Sequence, residues 1–141
     1  MNLLSNILLK NNWANKNERD FERSLFFVYI KKKYLMGYVY LIEDSTNNVY
    51  KIGATRSNSK RRLQKLQTGN STPLQIKYLF ETEYPFRLES MLHNKYQQYK
   101  VLNEWYELPK NIVDRFYEIC NDINDIIYLM KDNHFFSKNL K

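Results

Sequence analysis

The sequence predicts an α+β fold in which a small three-stranded antiparallel sheet is flanked by helices. Residues 38–42 and 49–53 have strand composition and enclose a short turn sequence. Residues 57–68 and 86–99 space their apolar side chains at helical intervals, and residues 74–82 form a third strand-like run between them. The 141 residues correspond to about one domain with a terminal extension.

Composition limits the classes of protein to which the chain can belong. Hydrophobic residues make up 43% and charged residues 26%, with 3 Gly and 3 Pro, which excludes collagen-like and disordered chains. The single cysteine, Cys120, cannot form an internal disulfide, and no early segment has a secretory signal pattern. The longest apolar run, residues 25–30, is far shorter than the ~20 residues that span a bilayer. We expect an intracellular protein, cytoplasmic or nuclear, with no membrane partner.

Positive charge is concentrated in one part of the chain. The 22 Lys and Arg residues exceed the 15 Asp and Glu residues, which gives a formal net charge of +7. No acidic residue lies between Asp44 and Glu81, while seven basic residues do. Such a cationic stretch predicts DNA or RNA as the partner. The alternative is a lysine-rich solvated surface that reflects an AT-rich genome.

Residues 1–35 differ from the rest and form an N-terminal extension. Residues 3–9 contain a short apolar cluster, and the run at 25–30 suits either a strand or a buried helix. Three lysines at 31–33 separate the extension from the next pattern. Three roles stay open for residues 24–34: an extra strand, a dimer contact, or a basic grip on DNA.

The first two strands are predicted to form a hairpin. A four-residue loop over residues 44–47 places Glu43 opposite Asn48 and Tyr40 opposite Lys51, on one face of the sheet. The other face holds the more apolar side chains and is expected to face the core: Val39, Leu41, Tyr50 and Ile52.

A helix is predicted after the second strand. Ser57 or Ser59 caps it, and Gly69 follows its end at about Thr68. Helical phase places Arg62 at the edge of the apolar stripe and Arg61 further toward solvent. The side chains expected to point inward are Leu63 and Leu66.

Two more helices are predicted further along the chain. Pro85 opens the one over residues 86–99, on which Glu89 and His93 lie one turn apart. Residues 103–108 are short and extended, and Pro109 starts a last helix. Its inward side chains are expected to be Ile112, Val113, Phe116, Ile119, Cys120, Ile123, Ile127 and Met130. The predicted parts are the extension (1–35), a central domain (36–108) and a C-terminal helix packed on it (109–141).

Two short motifs resemble those of the GIY-YIG nuclease superfamily. Tyr38-Val39-Tyr40 is followed after ten residues by Lys51-Ile52-Gly53, and an arginine helix and a glutamate helix come next in the order expected of that family. The resemblance covers residues 37–108. Tyr38 stands at the first glycine position, beside Gly37, and Lys51 replaces the tyrosine of the second motif. A Lys-Ile-Gly motif is familiar from a phage, viral and fungal branch of the superfamily.

The resemblance implies a metal-dependent DNA endonuclease of phage or viral type, acting in a host cell or a virus particle. Tyr40 would be the base or would orient the attacking water. Lys51 would lower the pKa of Tyr40, whose unperturbed value is ~10, or would contact phosphate. Arg62 would hold the phosphate through its bidentate guanidinium. Glu89 would bind Mg²⁺ or Mn²⁺, unless it only forms an ion pair with Arg87, Arg62 or another basic side chain.

Further residues are candidate contacts to nucleic acid. His93 would orient Glu89 or reach phosphate, or it is a structural residue. Asn103 lies near the position of an asparagine late in the family's pattern, and Glu104 is an equal candidate for that position. Trp105 and Tyr106 either stack on bases or close the core. Four basic residues complete the set: Arg56, Lys60, Arg61 and Lys65.

Other functions stay open at this point. A catalytically silent nucleic-acid-binding module would keep the basic face without cleaving, and the replaced tyrosine of the second motif favours it. An RNA nuclease would use the same chemistry on another substrate. A structural protein of a virus particle is a further alternative.

Overall fold

The computed structural model describes residues 16–138, and the chain divides into two units between Leu35 and Met36. The described part of the first unit is one helix, α1 (Lys16–Leu35). The run at 25–30 is therefore helical, and its side chains are exposed or half-buried rather than buried. An extra strand from residues 24–34 is ruled out, while the other two roles stay predictions. The apolar cluster at residues 3–9 lies outside the described residues.

The second unit has an α+β fold, as predicted. Its strands lie in the order β3-β1-β2-β5-β4, and every neighbouring pair is antiparallel. The elements are β1 (Gly37–Asp44), β2 (Val49–Thr55), α2 (Ser59–Thr68), β3 (Leu74–Thr82), α3 (Pro85–Lys95), a 3₁₀ turn (Gln97–Tyr99), β4 (Lys100–Leu102), β5 (Trp105–Tyr106), α4 (Lys110–Asp114), α5 (Phe116–Met130) and α6 (His134–Ser137).

The sheet has five strands, so the prediction of three is corrected. The two extra strands form a hairpin whose turn includes Asn103, with a left-handed φ of 53°. Strand β5 pairs with β2, which places Trp105 opposite Lys51 and Tyr106 opposite Tyr50. Both new strands have three residues or fewer, which is too short for an alternating pattern to reveal them.

The register of the first hairpin differs from the prediction by two residues. Tyr40 lies opposite Gly53, and Lys51 lies opposite Ile42. The predicted pairing of Tyr40 with Lys51 is therefore wrong. Because side chains alternate with a period of two, a shift of two residues leaves every side chain on its predicted face.

The cause of the shift is the turn. Asp44 is the last residue of β1, and it pairs with Val49. Its carboxylate accepts hydrogen bonds from the backbone N–H groups of Thr46 and Asn47, at 3.1 and 3.2 Å. Asn48 then takes a left-handed φ of 54° and closes the loop. The loop therefore spans residues 45–48 instead of 44–47.

Two apolar clusters lie on opposite faces of the sheet. The larger cluster holds the four predicted side chains of β1 and β2, together with side chains of α3, α4 and α5. The smaller cluster holds Tyr40, Ile42 and Leu74 under Leu63 and Leu66 of α2. Tyr40 does face away from the larger core, but α2 covers it and leaves it only 2% exposed.

The cap of α2 is neither predicted serine. Asn58 caps the helix, since its side-chain oxygen accepts from the N–H groups of Lys60 and Arg61 at 2.9 and 3.3 Å. Gly69 follows the helix as predicted, with an ordinary φ of −93°.

The C-terminal helices also differ from the prediction. The helix after Pro109 breaks at Arg115 into α4 and α5. Met130, expected to point inward, is 39% exposed at the end of α5. The predicted helix over 86–99 ends at Lys95 and continues as the 3₁₀ turn. Over residues 16–138, no helix has both the length and the apolar character needed to cross a membrane.

Candidate active site

Tyr40 and Arg62 meet between the sheet and α2. The Nε of Arg62 donates a hydrogen bond to the hydroxyl of Tyr40 at 3.2 Å. Arg62 is half-buried and its neighbour Arg61 is exposed, as helical phase predicted. The helix that covers Tyr40 therefore also supplies the guanidinium beside it.

The pKa of Tyr40 is raised in the fold. Burial is the main cause, and the carboxylates of Glu104 and Glu89 add to it, while the hydrogen bond and charge of Arg62 oppose it. Lys51 was expected to lower this pKa from the position opposite Tyr40, but Gly53 lies there and the cation that bonds Tyr40 is Arg62. A phenol with a raised pKa is a poor base at neutral pH, which favours the water-orienting role for Tyr40.

Gly53 makes room for the ring of Tyr40. A Cβ at position 53 would stand 2.6 Å from Tyr40 Cε2 and closer still to its Cζ and hydroxyl. Among residues 16–138 no glycine has a positive φ, so space and not backbone freedom requires glycine here. Gly37 has a similar role, because a Cβ there would stand 2.7 Å from Cγ of Pro85, the first residue of α3.

Glu89 lies half-buried on α3, and its carboxylate accepts a hydrogen bond from the backbone N–H of Ala54. Burial raises the pKa of Glu89 and the carboxylate of Glu104 raises it further, against the influence of His93 and Lys51. In the described part of the chain, Glu89 forms no ion pair with Arg62 or Arg87. The guanidinium of Arg87 instead lies 4.4 Å from the centre of the Phe136 ring.

Glu104 joins the site by way of the unpredicted hairpin. Its carboxylate pairs with the buried ammonium of Lys51, and its carbonyl accepts from the Ile52 N–H at 3.2 Å. Burial opposes ionisation of Glu104, but Lys51 outweighs it and holds the pKa of Glu104 below its usual value. Asn103, the other candidate, is exposed in the turn. The sequence signal for this hairpin was Asn103, because Asn is one of the few residues that readily adopt the left-handed backbone conformation found in its turn.

His93, Trp105 and Tyr106 are tied into the fold. His93 Nε2 donates to the carbonyl of Ile52 at 3.1 Å, and its ring centre lies 5.7 Å from that of Tyr106. Tyr106 belongs to the larger core, and Trp105 packs against the smaller cluster. These contacts favour the structural alternative for all three residues.

A cationic groove of about 360 Å³ adjoins the site. Lys60 is exposed but does not line it, and Lys77 lies 3.3 Å from Glu43 in an ion pair on β3. Three of the four basic residues predicted to contact nucleic acid are therefore brought together beside Arg62. The groove is lined by Ala54, Thr55, Arg56, Ser57, Arg61, Arg62, Lys65 and Phe86.

Residues 37–121 match the family model of the T5orf172 domain, which covers more than half of the chain. The chain belongs to the T5orf172 domain family. This domain is phage-associated and occurs in the context of GIY-YIG- and HNH-like endonucleases, and it indicates interaction with nucleic acid. No curated protein and no solved structure gave a match. Membership of the GIY-YIG superfamily itself stays a prediction.

The T5orf172 domain contains every candidate residue of the site. The match begins at the first residue of β1 and ends within α5, so that α1 lies outside it. Tyr40, Lys51, Arg62, Glu89 and Glu104 therefore all belong to the domain that defines the family.

Glu89 is the candidate metal ligand of the T5orf172 domain, and metal binding stays a prediction. Across residues 16–138, no group of three or more His, Cys, Asp or Glu side chains is placed to hold a metal. Structural zinc needs such a cage, whereas Mg²⁺ binds through one or two carboxylates with waters and phosphate oxygens. Glu89 offers one such carboxylate, which accepts one backbone N–H and forms no ion pair with a described basic side chain.

The Lys51–Glu104 pair makes a prediction about stability. We expect Lys51→Met to lower the unfolding free energy at about pH 7 by about 1 kcal/mol, because Glu104 loses its partner but stays partly hydrated. The pKa of Glu104 is lowered in the fold, so its contribution exists above the usual glutamate pKa and is lost as pH falls.

The difference in unfolding free energy between parent and variant should therefore be smaller at about pH 4, which is below the usual glutamate pKa. Urea unfolding at both pH values measures it. A gap that is the same at both values would mean that Lys51 stabilises the fold by packing alone.

Proposed function

We propose that this T5orf172 domain is a metal-dependent endonuclease that hydrolyses phosphodiester bonds in DNA. The observation that supports it best is the convergence of Tyr40, Arg62 and Glu89, from β1, α2 and α3, beside the cationic groove. Each brings a group that phosphodiester hydrolysis needs: a hydroxyl to orient water, a guanidinium for phosphate, and a carboxylate for a cation. Family membership supports the nucleic-acid partner.

Arg62 holds the scissile phosphate in this proposal. A guanidinium offers two parallel donors that match phosphate oxygens, and Arg62 is fixed by its bond to Tyr40 through only one of its nitrogens. The Tyr40 hydroxyl accepts that bond and keeps its own proton to orient the attacking water. Lys51, held by Glu104, adds positive charge near Glu89.

Glu89 is the proposed ligand of Mg²⁺ or Mn²⁺. Such an ion, when bound, supplies positive charge for the phosphate oxygens as charge develops on them. Burial of Glu89 limits its hydration by bulk water, and its single described hydrogen bond leaves lone pairs available.

Nicking of supercoiled plasmid DNA tests the proposal. We expect relaxed circles to form with Mg²⁺ or Mn²⁺ and not with EDTA. An RNA strand of matching sequence, incubated in parallel, separates DNA from RNA cleavage. DNA binding without cleavage under either metal would instead identify a silent binding module, and cleavage of RNA alone would identify an RNA nuclease.

The cationic groove predicts a steep salt dependence of DNA binding. On duplex DNA, log affinity falls with log salt by about 0.9 for each phosphate contacted. Replacing Arg61 and Lys65 with Gln should therefore flatten the slope by about 1.8 if each contacts one phosphate. Fluorescence anisotropy titrations at several salt concentrations measure it.

A matched control removes the same two charges elsewhere. Lys100 and Arg115 are exposed and do not line the groove. Their replacement with Gln should leave the slope close to that of the parent. Equal flattening by both double variants would mean that net charge, and not the groove, governs binding.

A further inference from the structure

An exposed aromatic ring stands in the cationic groove. Phe86 lines it together with Arg56, Arg61, Arg62 and Lys65, and the residue is 43% exposed. Single exposed apolar residues are common on protein surfaces. This ring differs because four basic side chains line the same groove. Its setting therefore combines an aromatic face with charges that suit phosphates.

Arg56 supports the ring from one side. The Arg56 guanidinium lies 5.8 Å from the ring centre of Phe86, and its Nη2 donates to the carbonyl of Glu83 at 3.1 Å. The guanidinium is thus fixed to the backbone ahead of α3 while it lies over the ring. Beside this contact, the residue keeps 43% of its surface exposed.

The ring is one helical turn from the proposed metal ligand. Phe86 and Glu89 are three residues apart on α3, which places them on one face and about 4.5 Å apart along the helix axis. A nucleotide next to a phosphate held at Arg62 and Glu89 would therefore lie within reach of Phe86.

We propose that Phe86 is a stacking platform for the unpaired base of the nucleotide next to the scissile phosphate. The groove would then take strands with an unpaired nucleotide at that position in preference to fully paired duplex. In a duplex both faces of each base are covered by its neighbours, so only an unstacked base can lie on the ring. The inference rests on the proposed function for the identity of the phosphate.

Binding without metal tests the inference independently of cleavage. Three DNA probes of about 12 nucleotides, within the range that one binding site covers, are titrated in EDTA. They are a single strand, its paired duplex, and the duplex with one unpaired central nucleotide. We expect the unaltered chain to quench 2-aminopurine placed at the unpaired position and to bind that probe more tightly than the paired duplex.

Substitution of Phe86 separates stacking from charge. Phe86→Leu should weaken binding of the single strand and of the duplex with the unpaired nucleotide by about fivefold or more, the effect of losing one stacked base. Binding of the paired duplex should change by less than about twofold. Phe86→Trp should keep the preference for the unpaired nucleotide. Phe135 is 85% exposed and lies outside the groove, so Phe135→Leu should change none of the three affinities.

Two results would overturn the inference. One is equal weakening of all three probes by Phe86→Leu, which would make the ring a support for the basic side chains. The other is absence of 2-aminopurine quenching by the unaltered chain, which does not depend on any variant folding. A chain that shows the stacking but never nicks DNA would overturn the proposed endonuclease and leave the stacking site standing.

Discussion

Glu89→Gln is expected to lower the rate of metal-dependent nicking by about 10³-fold or more. A bound metal supplies several kcal/mol of transition-state stabilisation, and each ~1.4 kcal/mol is tenfold in rate. Glutamine keeps the length of the side chain and an oxygen to accept the Ala54 N–H, but it lacks the negative charge. The variant therefore removes the proposed metal ligand with little change to its surroundings.

The fold and DNA binding should survive this substitution. Burial raises the pKa of Glu89, which means that the fold disfavours its charged form. A neutral amide removes that unfavourable charge, so the unfolding free energy should stay equal or rise slightly. Plasmid nicking, thermal unfolding and DNA binding in EDTA are measured side by side.

Glu107→Gln is the matched control, because Glu107 is exposed and follows β5 outside the site. It should nick DNA at the rate of the parent. If Glu89→Gln nicks DNA as fast as the parent, the metal assignment is wrong. If it unfolds, the carboxylate is a structural group and the site must be sought elsewhere.

The faces of the first hairpin could be predicted from the sequence, although its register could not. Val39 and Tyr40 lie on opposite faces because strand residues alternate, whatever the pairing. The pairing itself depends on the turn. The carboxylate of Asp44 accepts two backbone hydrogen bonds and Asn48 takes a left-handed φ, and together they move the turn by one residue. A change of one residue in the turn position moves the paired residues by two, and it brings Gly53 instead of Lys51 to Tyr40.

Glu104 shows what local sequence patterns miss. It enters the site because β5 pairs with β2, a contact between residues more than fifty positions apart. The residues around Glu104 contain no pattern that indicates which strand edge they pair with. The missed hairpin therefore accounts for the missed carboxylate, whereas the shifted turn of the first hairpin separates Lys51 from Tyr40.

Gly53→Ala is expected to cost both stability and activity. The added Cβ would overlap the ring of Tyr40, which packs under α2 and is only 2% exposed. Such overpacking costs about 1–3 kcal/mol of unfolding free energy. Displacement of the ring also breaks the alignment of its hydroxyl with Arg62, and misplacement by about 1 Å costs about 10²-fold in rate. Urea unfolding and plasmid nicking measure the two losses.

Gly69→Ala is the matched control for Gly53→Ala. A Cβ at position 69 would meet only the Leu66 carbonyl, at an ordinary 3.9 Å, and φ there is −93°. This variant should be as stable as the parent or more stable by about 0.4–1 kcal/mol, because alanine restricts the unfolded chain. It should nick DNA at the parent rate.

A double variant separates the contact with Tyr40 from any other effect of the methyl group. Tyr40→Leu removes the ring, so adding Gly53→Ala to it should cost less stability than Gly53→Ala costs alone, by about 0.5–3 kcal/mol. Activity should stay lost, because the hydroxyl that orients water is gone. Additive stability losses would show that the methyl group acts elsewhere in β2. Non-additive losses would show that the methyl group acts through the ring of Tyr40, which Gly53 admits beside Arg62.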